Sequence, residues 1–159
     1  MKIFKIYEIF NTMNFKWLKY PFGKKAYFKI NNDKYFIHFD EISTNVFNHY
    51  FYLKNGDEMF FNILNDKKPF KILSNIKHCL DSFLENNTYV RFIGFSSDDE
   101  SRINLYTLYS QYIKRKNLNN LKIINKKDKN YYFIYSSEMP KSILNNNIEK
   151  FIKEENKKH

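Results

Sequence analysis

Thr88-Tyr89-Val90-Arg91-Phe92-Ile93-Gly94-Phe95 is the run whose reading decides the fold. It is β-branched and aromatic and lacks the alternation of a half-solvated strand, so it predicts a strand buried on both faces. A helical pattern stands on either side of it. Upstream, Leu73, Ile76, Leu80, Phe83 and Leu84 make one apolar stripe over 69–85. Pro69 suits the first helical position, and Asn86-Asn87 ends the helix. Downstream, Ser97-Asp98-Asp99-Glu100 has the spacing of a capping box and opens a helix over 99–116. Its apolar positions are Ile103, Tyr106, Tyr109 and Ile113. With the strand that precedes the first helix, this run makes a βαβ unit.

Further upstream the pattern turns to strands. Ala26–Ile30 and Lys34–Phe39 flank the turn Asn31-Asn32-Asp33. Val46–Leu53 and Glu58–Leu64 flank Asn55-Gly56-Asp57, whose Asn-Gly predicts a type I′ hairpin. On the C-terminal side, Leu121–Asn125 and Tyr131–Tyr135 predict a last hairpin. Ser137–Pro140 then caps a helix with Ile143, Leu144, Ile148, Phe151 and Ile152 on one side and Lys and Glu on the other. The order β-β-β-β-α-β-α-β-β predicts an α+β fold with a mostly antiparallel sheet. Amphipathic helices flank this core at both ends. The expected division is a helix at 1–12, a core at 13–136 and a basic helix at 137–159.

In the first segment, Lys2, Lys5, Glu8 and Asn11 recur every three residues, with apolar side chains between them. This predicts a short helix that needs a partner surface, since one so short is unstable alone. It is not a secretory signal, because charges interrupt it and no small-residue cleavage site follows. No apolar run approaches membrane-spanning length, so no membrane partner is expected.

Composition narrows the chemistry. The 159 residues include 27 Lys+Arg, 17 Asp+Glu, three Gly and one Cys. A single Cys excludes a disulfide framework and a Cys-cluster zinc site. A lone Cys79 fits a reducing cytoplasm. The net charge of +10 suggests an anionic partner. It is unevenly spread: residues 1–30 carry +6, residues 112–159 carry +7, and the middle carries −3. Lys and Asn are abundant (24 and 22) while Arg appears three times. AT-rich codons account for part of this excess, which makes the placement of charge more informative than its total.

Several side chains are candidates for a site. Lys67 and Lys68 precede a helix N-terminus, where free backbone N–H groups favour anions. The loop 65–70 has no Gly for close approach, and Pro69 removes a donor. A nucleotide or coenzyme pyrophosphate is poorly served there, and no cofactor is expected. Arg102, at the strand-to-helix turn, has a guanidinium suited to a forked pair with phosphate, or with Asp98 or Asp99. Lys114, Arg115 and Lys116 form a basic run after the second core helix. Tyr27, Phe28, Tyr35, Phe36, Tyr50, Phe51 and Tyr52 interleave with Lys on the strands. Such a surface can stack single-stranded bases, but the same pattern arises when one face simply packs on helices. Cys79 reads as a small buried apolar residue, because its neighbour His78 points elsewhere on a helix. His38, His49, His78 and His159 show no metal-ligand spacing.

Three resemblances follow from these residues. The element order, with Arg102-Ile103-Asn104-Leu105-Tyr106 in the second helix, resembles the C-terminal part of the GNAT-type acetyltransferase fold. That family places a Gly-containing acetyl-CoA loop where this chain has residues 65–70, so the activity is not carried over. The chain is also similar to a family of small uncharacterised proteins of large tailed bacteriophages. The matching elements are Met1-Lys2-Ile3-Phe4-Lys5-Ile6-Tyr7-Glu8, Phe10-Asn11, Lys16-Trp17, Ala26-Tyr27-Phe28-Lys29, Phe70-Lys71-Ile72 through Ile76, and Ser101-Arg102-Ile103-Asn104-Leu105-Tyr106. Members often carry a Gly before the first core helix, which this chain lacks. The start also resembles the capsid-targeting peptides of such phages' internal head proteins, which are cut after Ile/Leu-x-Glu. Ile6-Tyr7-Glu8 fits that pattern.

The resemblance implies a small non-enzymatic accessory protein, located in the virion or the host cytoplasm and packaged in the virion head, that contacts DNA phosphates non-specifically and phage capsid proteins. A divergent acyltransferase is a rival expectation and would need a base such as Glu58 or His49. An inhibitor that binds one host protein is a third.

Overall fold

The computed structural model describes residues 15–60, 69–98, 103–115, 117–126 and 128–158. Among these, the elements are β1 (Lys16–Leu18), β2 (Gly23–Ile30), β3 (Asp33–Ser43), β4 (Val46–Asn55), β5 (Glu58–Phe60), α1 (Pro69–Asn86), β6 (Phe92–Ser97), α2 (Ile103–Ile113), β7 (Asn120–Lys126), β8 (Lys129–Tyr135) and α3 (Lys141–Lys158). The fold is α+β. Eight strands form one mixed sheet in the order β1-β2-β3-β4-β6-β8-β7, with β5 also paired to β4. The pair β4–β6 is parallel, while β1–β2, β4–β5, β6–β8 and β7–β8 are antiparallel. A parallel pair needs a crossover of helical length, and α1 lies between these two strands in sequence.

Two compact units divide the chain. The first holds the described residues up to His38 together with Tyr50–Thr88, and the second holds Phe39–His49 and the chain from Tyr89 onward.

In the first unit, β2 alternates buried Ala26, Phe28 and Ile30 with more exposed Lys25, Tyr27 and Lys29. Phe28 stacks on Tyr35 of β3 with ring centroids 5.2 Å apart. Asn31 sits in the turn at φ 55°, a left-handed conformation that Asn tolerates. Gly56 also has a positive φ, whereas Asp57 does not. The turn therefore carries the φ pattern of type II′ rather than the expected type I′, because Asn55 belongs to β4 and the central pair is Gly56-Asp57. Helix α1 starts at Pro69 as expected and buries Ile72, Leu73, Ile76, Cys79, Leu80, Phe83 and Leu84. At its end the Asn86 and Asn87 amides donate to the carbonyls of Ser82 and Phe83. They satisfy acceptors that the helix leaves open.

In the second unit, β6 and β8 carry a helix on each side. Phe95 stacks on Tyr132 at 4.8 Å and meets Tyr106 and Tyr109 of α2. On the other side, Phe92, Phe133 and Tyr131 pack with Leu144, Ile148 and Phe151 of α3. Gly94 allows this contact. A Cβ there would lie 2.6 Å from one Phe151 ring carbon. Pro140 precedes α3, and its carbonyl accepts from the Leu144 N–H at 2.9 Å.

Three expectations are corrected. The strand read at Thr88–Phe95 runs from Phe92 to Ser97, because Asn87 caps α1 and the chain turns through Thr88 and Tyr89 before pairing. The last helix does not keep all its Lys and Glu in solvent, since Glu155 is buried. Ile143, placed on its apolar side, is instead 48% exposed. The expected first helix and the loop 65–68 lie outside the described residues.

Candidate nucleic-acid interface

One side of the first unit's strands is built from aromatic rings overlaid by ammonium groups. Successive residues of a strand point to opposite faces, and directly paired residues share one. On this face β3 contributes Phe36 and His38, β4 contributes Tyr50 and Tyr52, and β2 contributes Tyr27. Phe36 meets Tyr27 at 5.8 Å and Tyr52 at 5.6 Å. His38 stacks on Tyr50 at 4.5 Å. Its two ring nitrogens lie 3.0 Å from the hydroxyls of Tyr52 and Tyr50, so both have hydroxyl partners. Tyr20 meets the same imidazole edge-on.

Lysines lie over this layer. Lys25 Nζ is 5.0 Å from the Phe36 centroid, Lys34 Nζ is 4.7 Å from Tyr27, and Lys54 Nζ is 5.8 Å from Phe36. Each cation faces the electron-rich side of a ring, a contact that holds long side chains in place. Lys16 shares the face because it pairs with Tyr27, and Lys29 shares it by alternation along β2. Five lysines thus occupy one strand face, and no carboxylate stands among the described strand positions of this unit on that side.

The arrangement decides between two uses of an aromatic-basic sheet. Stacking a base requires an open ring face. Phe36 and Tyr52 are 8% and 5% exposed, so their faces are closed to a base. The aromatic residues support the lysines: Lys16, Lys29 and Lys54 are exposed, while Lys25 and Lys34 are half-buried over the rings. Such a surface suits phosphates, which accept from ammonium groups without regard to sequence.

The residues singled out in the sequence are not brought together here. Lys114 and Arg115 lie in the second unit, after α2. Lys114 is exposed. Arg115 is tied to its own loop: its Nε donates to the Ile113 carbonyl at 3.2 Å, and its backbone exchanges two hydrogen bonds with Leu118. Ile6, Tyr7, Glu8, Lys67, Lys68, Arg102 and Lys116 lie outside the described residues. The five face lysines are not among those candidates; the interleaving of Lys with Tyr and Phe along these strands is the sequence signal that points to them.

The catalytic candidates fare differently. His49 is fully buried, stacks on Phe39 at 4.6 Å and shares a 2.8 Å hydrogen bond with the Tyr109 hydroxyl. A base so enclosed has no route to a substrate. Glu58 is exposed on the short strand β5. Cys79 is buried, and burial pushes its thiol well above the usual range, which suppresses the reactive thiolate. Among the described residues, no group of three His, Cys, Asp or Glu side chains converges to hold a metal. Nor is any described helix long and apolar enough to cross a membrane. No family model, curated protein or solved structure matches this chain.

Proposed function

We propose that this chain is a small phage-encoded accessory protein, non-enzymatic, that binds nucleic-acid phosphates without sequence preference and is carried in the virion head. The five-lysine face of the first unit carries the phosphate-binding part of this reading. Its charge is laid on one surface and held over rings rather than scattered, which codon bias alone does not require. The net charge of +10 supports it further. The phage and capsid parts rest on the resemblance of the matched sequence elements and on Ile6-Tyr7-Glu8.

Fluorescence anisotropy with a 20-bp duplex between 50 and 200 mM salt tests the binding. Affinity should fall steeply with salt, and K25Q/K29Q/K34Q/K54Q should lose most of it. Salt-independent affinity, or no change in the variant, refutes the assignment. Mass spectrometry of purified virions tests packaging. Absence of the protein, or an intact Met1 in every copy, removes that part.

The rival reading rests on the expected GNAT-like topology and makes the chain an acyltransferase. The burial of His49 weighs against it. A saturable thermal shift with acetyl-CoA would favour it. Inhibition of a host protein is the third reading, tested by pull-down from host lysate.

A further inference from the structure

A second basic feature lies in the other unit, between the end of β7 and α3. A cavity of about 520 Å³ opens there, lined by Lys126, Glu149, Ile152, Lys153, Asn156 and Lys157. The helix residues are spaced so that they share one face, at steps of three and four from Glu149 to Lys157. Ile152 packs against the unit's apolar cluster, which fixes the floor of the groove.

Three ammonium groups surround this space and one carboxylate accompanies them. Among the described residues, Lys126 and Lys153 have no ion-pair partner. Lys157 reaches Glu154 at 3.7 Å, but Lys157 is exposed and Glu154 only half-buried, so that pair is weak. Lysines near a helix C-terminus stabilise its dipole, which accounts for Lys153 and Lys157 without any ligand. It does not account for Lys126, which comes from a strand and faces the same space. The three ammonium groups repel one another across the groove, and Glu149 is the one carboxylate in its lining.

We propose that this groove binds a small organic diphosphate. Two adjacent phosphoryl groups match cations that arrive from two sides, from β7 and from successive turns of α3. The Asn156 amide supplies a further donor. Ile152 offers an apolar surface for the organic portion, and Glu149 an acceptor for one of its hydroxyls. The volume falls within the range of small-molecule sites. This site is independent of the five-lysine face, which belongs to the other unit.

Isothermal titration with inorganic pyrophosphate tests the proposal on the full chain. Saturable binding is expected, weaker by about tenfold or more in K126Q/K153Q and tighter by about two- to fivefold in E149Q. Circular dichroism should show both variants folded, since each substitution is at the surface. K25Q/K29Q/K34Q/K54Q should bind pyrophosphate unchanged, which separates this site from the nucleic-acid face. K126Q/K153Q should keep its duplex-DNA affinity within about twofold. Absence of saturable pyrophosphate binding overturns the proposal, as does binding that ignores K126Q/K153Q. A loss of duplex affinity as large as the loss of pyrophosphate affinity also overturns it, because the phosphates would then be those of a nucleic-acid backbone.

Discussion

The Glu155 carboxylate of α3 accepts a hydrogen bond at 2.5 Å from the side-chain amide of Asn48, which is 107 residues earlier in the chain and buried on β4. Its second oxygen accepts from Ser96 Oγ at 3.0 Å, and Lys129 Nζ stands 3.7 Å away. One carboxylate therefore joins β4, β6 and the start of β8 to the last helix. Apolar residues at 144, 148 and 151 hold that helix by area, whereas Glu155 fixes its register. Glu155→Ala strips the acceptor from one buried donor, Asn48, and one half-buried donor, Ser96, and should cost about 2–4 kcal/mol. Glu155→Gln keeps an acceptor and should cost less. Urea unfolding monitored by tryptophan fluorescence measures both, and equal costs for the two variants would contradict this account.

Gly94 sets how closely α3 approaches the sheet. Gly94→Ala puts a Cβ against two Phe151 ring carbons and one Phe133 carbon, at 2.6, 2.8 and 3.1 Å. Overpacking of this kind should destabilise by about 1–3 kcal/mol. Phe151→Leu should offset part of the loss, so the double variant should be more stable than the sum of the two single changes predicts. Additivity in that cycle would show that the contact is not limiting.

Alkaline pH should unfold the chain earlier than exposed groups alone would require. Burial raises the Cys79 thiol above its ordinary value near 9. Burial is also the first cause of the rise at Tyr131 and Tyr132, with the Glu155 charge adding to it at Tyr131. The folded state thus favours the protonated forms, while the unfolded chain releases its protons at ordinary values. Stability is full below about pH 9 and falls as pH rises beyond it, first through Cys79 and then through the tyrosines. Cys79→Ala should remove the earliest part of that decline. A Tm of the parent chain that stays flat to pH 10.5 would count against it.

Each lysine of the five-lysine face that meets a phosphate should contribute about 0.9 to the magnitude of the salt slope. Single Lys→Gln changes at positions 25, 29, 34 and 54 should lower it by about that amount. Phe36→Ala should act differently, destabilising the unit by about 3–5 kcal/mol as a buried ring lost from a core. If Phe36→Ala instead left stability intact and abolished single-strand binding, the ring would be a base-stacking platform after all.

Much of this architecture was legible in short-range patterns. Pro69 at a helix start, the Asn31 turn and the spacing of Leu73, Ile76, Leu80 and Phe83 are local signals, and the structure follows them. The strand after α1 was recognised but displaced, because Thr88, Tyr89 and Val90 are as β-prone as the residues that do pair. Only the partner strand β8, through Phe92↔Tyr135 to Ser97↔Asn130, sets the register. β1 is not legible in the sequence, since three residues carry no periodicity. The buried place of Glu155 was equally hidden, since its justification is Asn48 and Ser96, far away in sequence. On the basic face, the alternation over 25–29 was visible, but the burial of Phe36 and Tyr52 depends on neighbours across strands. A pattern suited to stacking bases therefore became a support for lysines.

The hairpin at Phe39–His49 belongs to a unit whose remaining residues begin at Tyr89. During synthesis, Asn48 emerges with its amide unclaimed, and the carboxylate that claims it is made 107 residues later. At about 5–20 residues per second this interval is roughly 5–20 s. Throughout it, a strand pair with one buried-side polar group must wait, exposed to rival edges and to chaperones. Completion of this unit thus waits on the ribosome, and slowing translation after residue 88 should lengthen the nascent chain's sensitivity to protease.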